Sequence, residues 1–170
     1  LRRQRRDLRI VIPHRDPRRL EAIRAAVHAA GAEQTVEIAE GPPSPWLAAA
    51  RAALVKSGTG SLEACLHRVP TCVVYVVDSV FARLLLRWLL TVPYFAGANL
   101  CMARRIVPEI GIEREAQWDE VHDAVGRLLD DGPERARCIA DLAALRERLG
   151  EPGASARVAR WILPFCEIDR

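Results

Sequence analysis

The sequence predicts an α/β fold in which a doubly wound parallel sheet is covered by helices on both faces. Short apolar runs alternate with segments of helical periodicity. The run at residues 71–77 is rich in β-branched side chains, as strands buried on both faces are. Right-handed crossovers between parallel strands then give a Rossmann-like sheet, in which ligands bind at the carboxyl ends of the strands.

The first half of the chain supplies three predicted strands and two predicted helices. Asp16 precedes an apolar pattern of helical spacing that ends at Gly31, so it is the expected cap of the first helix. A cluster of glycine and proline at residues 41–45 separates the second strand from the second helix. The predicted order is a strand at 8–13, a helix at 16–31, a strand at 35–39, a helix at 46–52 and a strand at 53–56.

The second half is predicted to continue this alternation and to end in helices. The predicted order is a turn at 57–61, a helix at 62–68, a strand at 71–77, a helix at 79–90 and a short strand at 92–95. An irregular segment follows to residue 108, and then helices at 117–130, 133–149 and 155–163. The break at residues 150–153 divides the chain into a binding domain, 1–150, and a terminal helix, 151–170.

Composition favours one globular domain and argues against several other classes. A chain of 170 residues with half of them apolar can bury a single core. The net charge is +3, and the short arginine-rich opening at residues 1–6 lacks the interleaved aromatics of a nucleic-acid arm. Because the chain starts with leucine and shows no leader segment, we expect it to be truncated.

Cysteine spacing and the arginine pattern bear on compartment and membrane class. The five cysteines include no C-x-x-C pair and have no histidine at metal-ligand spacing, so we expect buried thiols in a reducing compartment and no metal site. Arg83 and Arg87 interrupt the most apolar stretch, which is therefore too short to span a bilayer. The helix predicted around them has two interpretations, a membrane-surface helix or a helix half buried against the sheet.

The most informative segment is the turn that follows the third predicted strand. It reads Ser57-Gly58-Thr59-Gly60-Ser61 and opens a helix. Backbone N–H groups at a helix N-terminus, with glycines allowing close approach, suit phosphate oxygens. The alternative is a tight connection with a hydroxyl N-cap. Glu63 fits both interpretations, because a carboxylate suits the helix dipole and can also accept ribose hydroxyls.

A second polar segment, residues 92–109, lies in a stretch with little periodicity. It carries an amide, two guanidinium groups and a carboxylate in Asn99, Arg104, Arg105 and Glu109. Irregular polar segments beside sheet ends concentrate binding residues. Arg104 either pairs with a diphosphate in a bidentate manner, or it or Arg105 pairs with Glu109 on the surface.

These two segments together resemble the carboxyl-terminal half of the lipid-A-disaccharide synthases. The resemblance extends from about residue 8 to the end and is strongest over residues 54–109, where order and spacing agree. The matching residues are Ser57-Gly58-Thr59, Leu62-Glu63-Ala64, Val69-Pro70, Tyr75, Val92-Pro93-Tyr94, Asn99-Leu100, Arg104 and Val107-Pro108-Glu109.

The resemblance implies the donor-binding half of a GT-B glycosyltransferase that uses no metal or other cofactor. The implied reaction transfers 2,3-diacylglucosamine from UDP to 2,3-diacylglucosamine 1-phosphate in lipid A biosynthesis, with a missing acceptor domain supplying the general base. The implied enzyme is cytoplasmic, with peripheral attachment to the inner face of the bacterial inner membrane left open. Homo-oligomerisation is also left open, and no nucleic-acid partner is expected.

The resemblance also implies roles for individual residues. Ser57, Gly58, Thr59, Gly60 and Ser61 receive the UDP phosphates, Glu63 holds the ribose, and Glu109 belongs to the same site. Asn99 and Arg104 are the expected catalytic residues, stabilising negative charge on departing UDP.

Several positions depart from the pattern, and other functions stay open. Gly60 and Ser61 stand where Ala and Thr are usual, Arg105 where an acidic residue is common and Lys56 where a small residue is usual. The alternatives are a non-catalytic nucleotide-binding module and a UDP-sugar 2-epimerase-like half. The last helix is strongly apolar, and we expect its apolar face to meet a missing domain.

Overall fold

The computed structural model describes residues 8–76, 93–113 and 116–166. Strands and helices alternate through most of this part of the chain. The first half contains β1 (Ile10–His14), α1 (Pro17–Ala29), β2 (Val36–Glu40), α2 (Ser44–Ala49), β3 (Ala53–Lys56), α3 (Thr59–Leu66) and β4 (Thr71–Val76). The second contains α4 (Gly97–Met102), β5 (Glu109–Ile112), α5 (Gln117–Leu129), α6 (Pro133–Leu149) and α7 (Ala154–Cys166).

Every strand pairing in the described chain is parallel. β1 pairs with β2, with Ile10 opposite Val36. β3, β4 and β5 form a second ladder with β4 in the centre, and Val73 of β4 lies opposite Glu109 of β5. The α/β class with parallel strands is therefore confirmed. Over the described residues the strands form two ladders, whereas the sequence predicted one continuous doubly wound sheet.

The first helix shows why the local sequence signals are reliable. Asp16 is its N-cap, and the carboxylate accepts a hydrogen bond from the Arg18 backbone N–H at 3.1 Å. Pro17 follows in the first turn, where a missing N–H costs nothing. Gly31 ends the segment with a φ of 59°, donating its N–H to the His28 carbonyl.

The segment between β4 and α5 differs from the sequence prediction. Of the strand predicted at 92–95, residues 93–95 are not a strand, because the Phe95 N–H bonds to the Glu109 side chain instead of a neighbouring strand. A short helix, α4, and a strand, β5, occupy the region predicted as irregular or left unassigned. With only four residues, one of them Gly111, β5 has no recognisable alternation.

The remaining predicted elements agree with the structure apart from their exact ends. Helices occur where 117–130, 133–149 and 155–163 were predicted. The predicted helix at 79–90 lies outside the described residues. None of the helices in the described chain is long and apolar enough to cross a membrane.

The core lies on β4 and on the helices that pack against its ladder. Cys72 and Val73 are both fully buried, so β4 is covered on both faces, as its apolar run predicts. Leu142 and Leu145 of α6 are also fully buried and belong to the same cluster. This cluster fixes the position of the β3–β4–β5 ladder from which the candidate site is built.

The cysteines are only partly as predicted. Cys65, Cys72 and Cys138 are buried, and burial raises the pKa of the Cys65 thiol to about 12 and of the other two to about 11. Such thiols stay protonated and unreactive at neutral pH. Cys101 is half-buried and Cys166 is exposed, so the prediction of five buried thiols was wrong at these positions.

The terminal helix α7 stands apart from this core. Each of its residues is exposed, and the exposed fraction reaches 75% for Trp161 and 87% for Phe165. The helix contains Arg157 and Arg160 but no acidic residue. Its apolar side chains are uncovered in the structure.

The packing predicts that replacing two leucines of α6 by alanine changes the free energy of unfolding by very different amounts. Leu145→Ala should lower the free energy of unfolding by about 2–5 kcal/mol, because it leaves a cavity in the core. Leu149→Ala, at a position that is 40% exposed on the same helix, is the matched control and should cost far less. Urea unfolding followed by circular dichroism measures both. Equal losses would contradict the proposed location of the core.

Candidate functional site

The Ser-Gly-Thr turn lies at the carboxyl end of β3, where parallel α/β sheets bind ligands. The Ser57 N–H donates to the Val74 carbonyl at 2.7 Å and so extends the β3–β4 pairing by one residue. Gly58 then reverses the chain with φ 146° and ψ −169°, a conformation that side-chain-bearing residues rarely adopt. The helix α3 starts immediately afterwards, at Thr59.

The two serine hydroxyl groups of the turn donate to different backbone carbonyls. Ser61 is 1% exposed and its Oγ donates to the Gly58 carbonyl at 2.6 Å, which closes the turn from inside. Ser57 Oγ donates to the Phe95 carbonyl at 3.1 Å. Neither caps α3, whose N-cap Gly58 has no side-chain hydrogen bond. The expected hydroxyl N-cap is therefore wrong, although the connection between β3 and α3 is tight, as the same alternative held.

The start of α3 leaves three backbone N–H groups without an acceptor among the described residues. Gly58, Thr59 and Gly60 are exposed, and none of the described residues accepts a hydrogen bond from their N–H groups. Such N–H groups at a helix N-terminus carry a partial positive charge and point toward any bound anion. Glu63 is half-buried and lies one turn after Thr59, on the same side of the helix.

A carboxylate holds the neighbouring segment against this turn. Glu109 Oε2 accepts the Phe95 N–H at 3.0 Å and the Ala96 N–H at 2.7 Å, at the start of α4. The Phe95 ring also lies 4.3 Å from the Tyr75 ring, measured between centroids. Burial, followed by the charges of Glu109 and Glu113, raises the pKa of Tyr75, which keeps its hydroxyl neutral.

Asn99 is fully buried and its side chain is committed to backbone hydrogen bonds. Its Oδ1 accepts the N–H groups of Ile106 at 2.7 Å and Val107 at 3.0 Å. Its Nδ2 donates to the Val107 carbonyl at 3.0 Å. The amide therefore closes the loop between α4 and β5.

Arg104 is bound by an acidic residue that the sequence analysis did not single out. Asp141 of α6 accepts two hydrogen bonds from the Arg104 guanidinium, at 3.0 and 2.6 Å. These bonds lower the pKa of Asp141 and raise that of Arg104. The two residues are 37 positions apart, and no local signal in the sequence connects them.

The predicted surface pair between Glu109 and Arg104 or Arg105 was wrong for the described residues. Arg104 binds Asp141, and Glu109 accepts hydrogen bonds from backbone N–H groups. Arg105 is exposed and forms no ion pair within the described part of the chain.

The structure divides the predicted site residues into two groups. Ser57, Glu63 and Glu109 adjoin the turn directly or through Phe95. Asn99 instead bonds the loop residues Ile106 and Val107 before β5, and Arg104 bonds Asp141 of α6.

Fold and site together define an α/β domain of parallel strands that presents an uncapped helix N-terminus after a Ser-Gly-Thr turn. The chain belongs to the lipid-A-disaccharide synthetase family, whose model matches residues 1–152. The resemblance drawn from the sequence is thereby confirmed for the family.

Curated relatives agree with this assignment. The lipid-A-disaccharide synthase of Anaeromyxobacter dehalogenans strain 2CP-C is 40% identical over 128 residues, which are 75% of this chain and 33% of that protein. The one from Synechocystis is 34% identical over 77% of this chain and 34% of its own length. That of Thiobacillus denitrificans is 33% identical over 96% of this chain and 43% of its own length. The chain thus spans about a third of the curated relatives it matches.

The contacts of Asn99 predict that replacing it lowers the stability of the fold. Asn99→Ala leaves two buried N–H groups without an acceptor, which should lower the free energy of unfolding by roughly 2–5 kcal/mol. Leu100→Ala, at an exposed position of the same helix, is the control and should cost much less. Chemical denaturation measures both, and an unchanged stability for Asn99→Ala would contradict this buried network.

The Arg104–Asp141 pair predicts a pH dependence of defined sign. Because the pKa of Asp141 lies below its ordinary value of 3.8 in the folded chain, the ionised form stabilises the fold. That contribution is complete above the ordinary value and is lost as the pH falls through the lowered pKa. Asp141→Asn should therefore be less stable than the unsubstituted chain at pH 7, and the difference should shrink below about pH 4.

Unfolding midpoints measured between pH 7 and pH 3 test this dependence. Asp130→Asn is unsuitable as a control, because Asp130 has interactions of its own. Glu147→Gln, on the exposed end of α6, is suitable. A stability difference for Asp141→Asn that stays constant across this range would overturn the charge-based explanation.

Proposed function

We propose that this chain is the donor-binding, carboxyl-terminal half of a lipid-A-disaccharide synthase with the GT-B fold. The observation that carries the proposal is the uncapped N-terminus of α3, which follows the Ser57-Gly58-Thr59 turn in a chain of this family. Its exposed N–H groups match the chemistry of a diphosphate. The parallel α/β architecture supports the same assignment, because the donor half of a GT-B enzyme is a Rossmann-like domain.

The proposed reaction transfers 2,3-diacylglucosamine from UDP to 2,3-diacylglucosamine 1-phosphate. The acceptor hydroxyl attacks the anomeric carbon, the bond from that carbon to the diphosphate oxygen breaks, and UDP leaves with the electron pair. The hydroxyl proton passes to a base in the acceptor domain. The turn would stabilise the negative charge that develops on UDP, which is the electrostatic contribution expected of preorganised N–H donors.

The contacts of the turn refine the proposed roles. Gly58, Thr59 and Gly60 would bind phosphate oxygens through their N–H groups, and the exposed Thr59 hydroxyl is available as a further donor. Ser57 and Ser61 would contribute by shaping the turn, since both hydroxyls already donate to backbone carbonyls. Glu63 would accept the ribose hydroxyls from its position one turn later.

Glu109 would support the donor site from the neighbouring segment. Its Oε2 already accepts two N–H groups, so we propose that it holds Phe95 and Ala96 beside the turn. A direct contact with UDP would have to use its other oxygen.

Asn99 and Arg104 would act in the transfer by positioning residues 95–108. Each polar atom of the Asn99 amide is engaged with the backbone, which supports such a role. Arg104 could reach the donor only by leaving Asp141, which holds it with two hydrogen bonds. A direct catalytic contact by either residue therefore requires a rearrangement when substrate binds.

The remaining partners follow from the proposed reaction. We propose that an acceptor domain covers the apolar side of α7, whose Trp161 and Phe165 are largely exposed. We place the assembled enzyme in the cytoplasm. Its acylated substrates would bring it to the inner face of the inner membrane. No metal or other cofactor enters the proposed mechanism.

The proposal predicts that UDP binds to the turn and that Glu63 recognises its ribose. In NMR titrations of the chain, UDP should shift the amide signals of Gly58, Thr59 and Gly60. Glu63→Ala should weaken UDP about tenfold, because a hydrogen-bonded charge is lost. Glu147→Ala, an exposed glutamate at the end of α6, is the control and should leave affinity unchanged.

The 2′-deoxy analogue of UDP separates a ribose contact from a general loss of fold. The unsubstituted chain should prefer UDP over 2′-deoxy-UDP, and Glu63→Ala should abolish that preference while the turn amides still respond. No response of these amides at millimolar UDP would falsify the donor-site proposal. A preference that survives Glu63→Ala would remove Glu63 from the ribose site.

A further inference from the structure

A lateral row of residues crosses the carboxyl edge of the β3–β4–β5 ladder at the level of the turn. Tyr75 of β4 lies opposite Gly111 of β5. Lys56 lies opposite Val74, so the next residue, Ser57, is level with Tyr75 on the other side. One row therefore crosses the ladder from the turn to β5, formed by Ser57, Tyr75 and Gly111.

The Tyr75 side chain lies across Gly111. A β-carbon built on Gly111 would be 2.5 Å from Tyr75 Oη, 2.6 Å from Cζ and 3.0 Å from Cε2. Real β-carbons do not approach other atoms so closely, so the ring occupies space that only a glycine leaves free. The backbone conformation of Gly111 does not itself require glycine, because this residue lies within a regular strand.

The same ring meets the segment that contacts the turn. The Tyr75 and Phe95 rings are 4.3 Å apart between centroids, with 32° between their planes. Phe95 in turn accepts the Ser57 hydroxyl hydrogen bond at its carbonyl, 3.1 Å away. Contact thus runs from Gly111 to Tyr75, from Tyr75 to Phe95, and from Phe95 to Ser57.

We propose that Tyr75, seated on Gly111, is a positioning residue for the donor turn. Its ring packs against the Phe95 ring and, together with the Glu109 hydrogen bonds, holds Phe95 where its carbonyl accepts the Ser57 hydroxyl, at the first residue of the turn. Glu109 holds the Phe95 backbone through a hydrogen bond, whereas the Phe95 ring packs against Tyr75. The inference rests on the proposed function, because the turn that is positioned is the proposed UDP site.

Gly111→Ala tests the proposal without touching the turn. The new methyl group must displace the Tyr75 ring, so Phe95 loses its ring contact and the carbonyl that accepts the Ser57 hydroxyl is held by the Glu109 hydrogen bonds alone. We expect UDP affinity to fall about three- to tenfold, the effect of losing one positioned hydrogen bond. Gly132→Ala is the matched control, since a β-carbon at Gly132 meets no atom within 4 Å. It should bind UDP as the unsubstituted chain does.

A double variant separates positioning by the ring from a general loss of stability. Tyr75→Leu should weaken UDP binding, and Tyr75→Phe, which keeps the ring, should restore it relative to the leucine variant. Gly111→Ala combined with Tyr75→Leu should be no weaker than Tyr75→Leu alone, because Gly111 acts only through the ring. Amide signals of Ser57, Phe95 and Ala96 should shift in Gly111→Ala before any UDP is added.

Each outcome separates the inference from the donor site itself. If the unsubstituted chain binds UDP and Gly111→Ala binds it equally well despite shifted Phe95 signals, the positioning role is overturned and the donor site stands. Additive losses in the double variant would also overturn it. If the unsubstituted chain fails to bind UDP, the proposed donor site is overturned, and the inference falls with it.

Discussion

The paired hydrogen bonds from Phe95 and Ala96 to the Glu109 carboxylate determine where the segment before α4 lies beside the donor turn. They join the residues before α4 to the first residue of β5, across 14 positions from Phe95 and 13 from Ala96. Because the carboxylate satisfies both N–H groups, Phe95 and Ala96 need no strand partner to accept them. Phe95 is thereby placed beside Ser57, so the candidate donor site is bordered by the segment before α4 as well as by the turn.

The loop between α4 and β5 depends on a different set of bonds. Asn99 replaces missing backbone partners for Ile106 and Val107, and Asp141 fixes Arg104 to α6. Polar residues in an irregular segment thus serve two purposes here. Glu109 holds Phe95 beside the turn, whereas Asn99 and Arg104 bond the loop backbone and α6.

The turn itself shows a similar separation between shape and binding. Ser57 and Ser61 direct their hydroxyls to backbone carbonyls, and Gly58 provides the chain reversal. The N–H groups that remain are those exposed at the start of α3. A diphosphate would therefore meet preorganised backbone donors, with little reorganisation at the moment of reaction.

The sequence by itself determined the α/β class, most of the element order, the caps of α1 and the position of the Ser-Gly-Thr turn. These features depend on local periodicity and on residues whose backbone preferences act over a few positions, such as Asp16 and Gly58. Its matching residues also indicated the family. The buried strand β4 was recognisable because its apolar run needs no partner to be identified.

Only the tertiary structure decided which polar side chains of the candidate site face the turn. The partners Arg104 and Asp141, Glu109 and Phe95, and Tyr75 and Gly111 lie 14 to 37 positions apart or on neighbouring strands. Side-chain hydrogen bonds and ring contacts over such separations carry no periodic signal in the sequence. They arise once the core has brought the elements together, and for this reason β5, α4 and the role of Asn99 in the loop could not be predicted from the sequence.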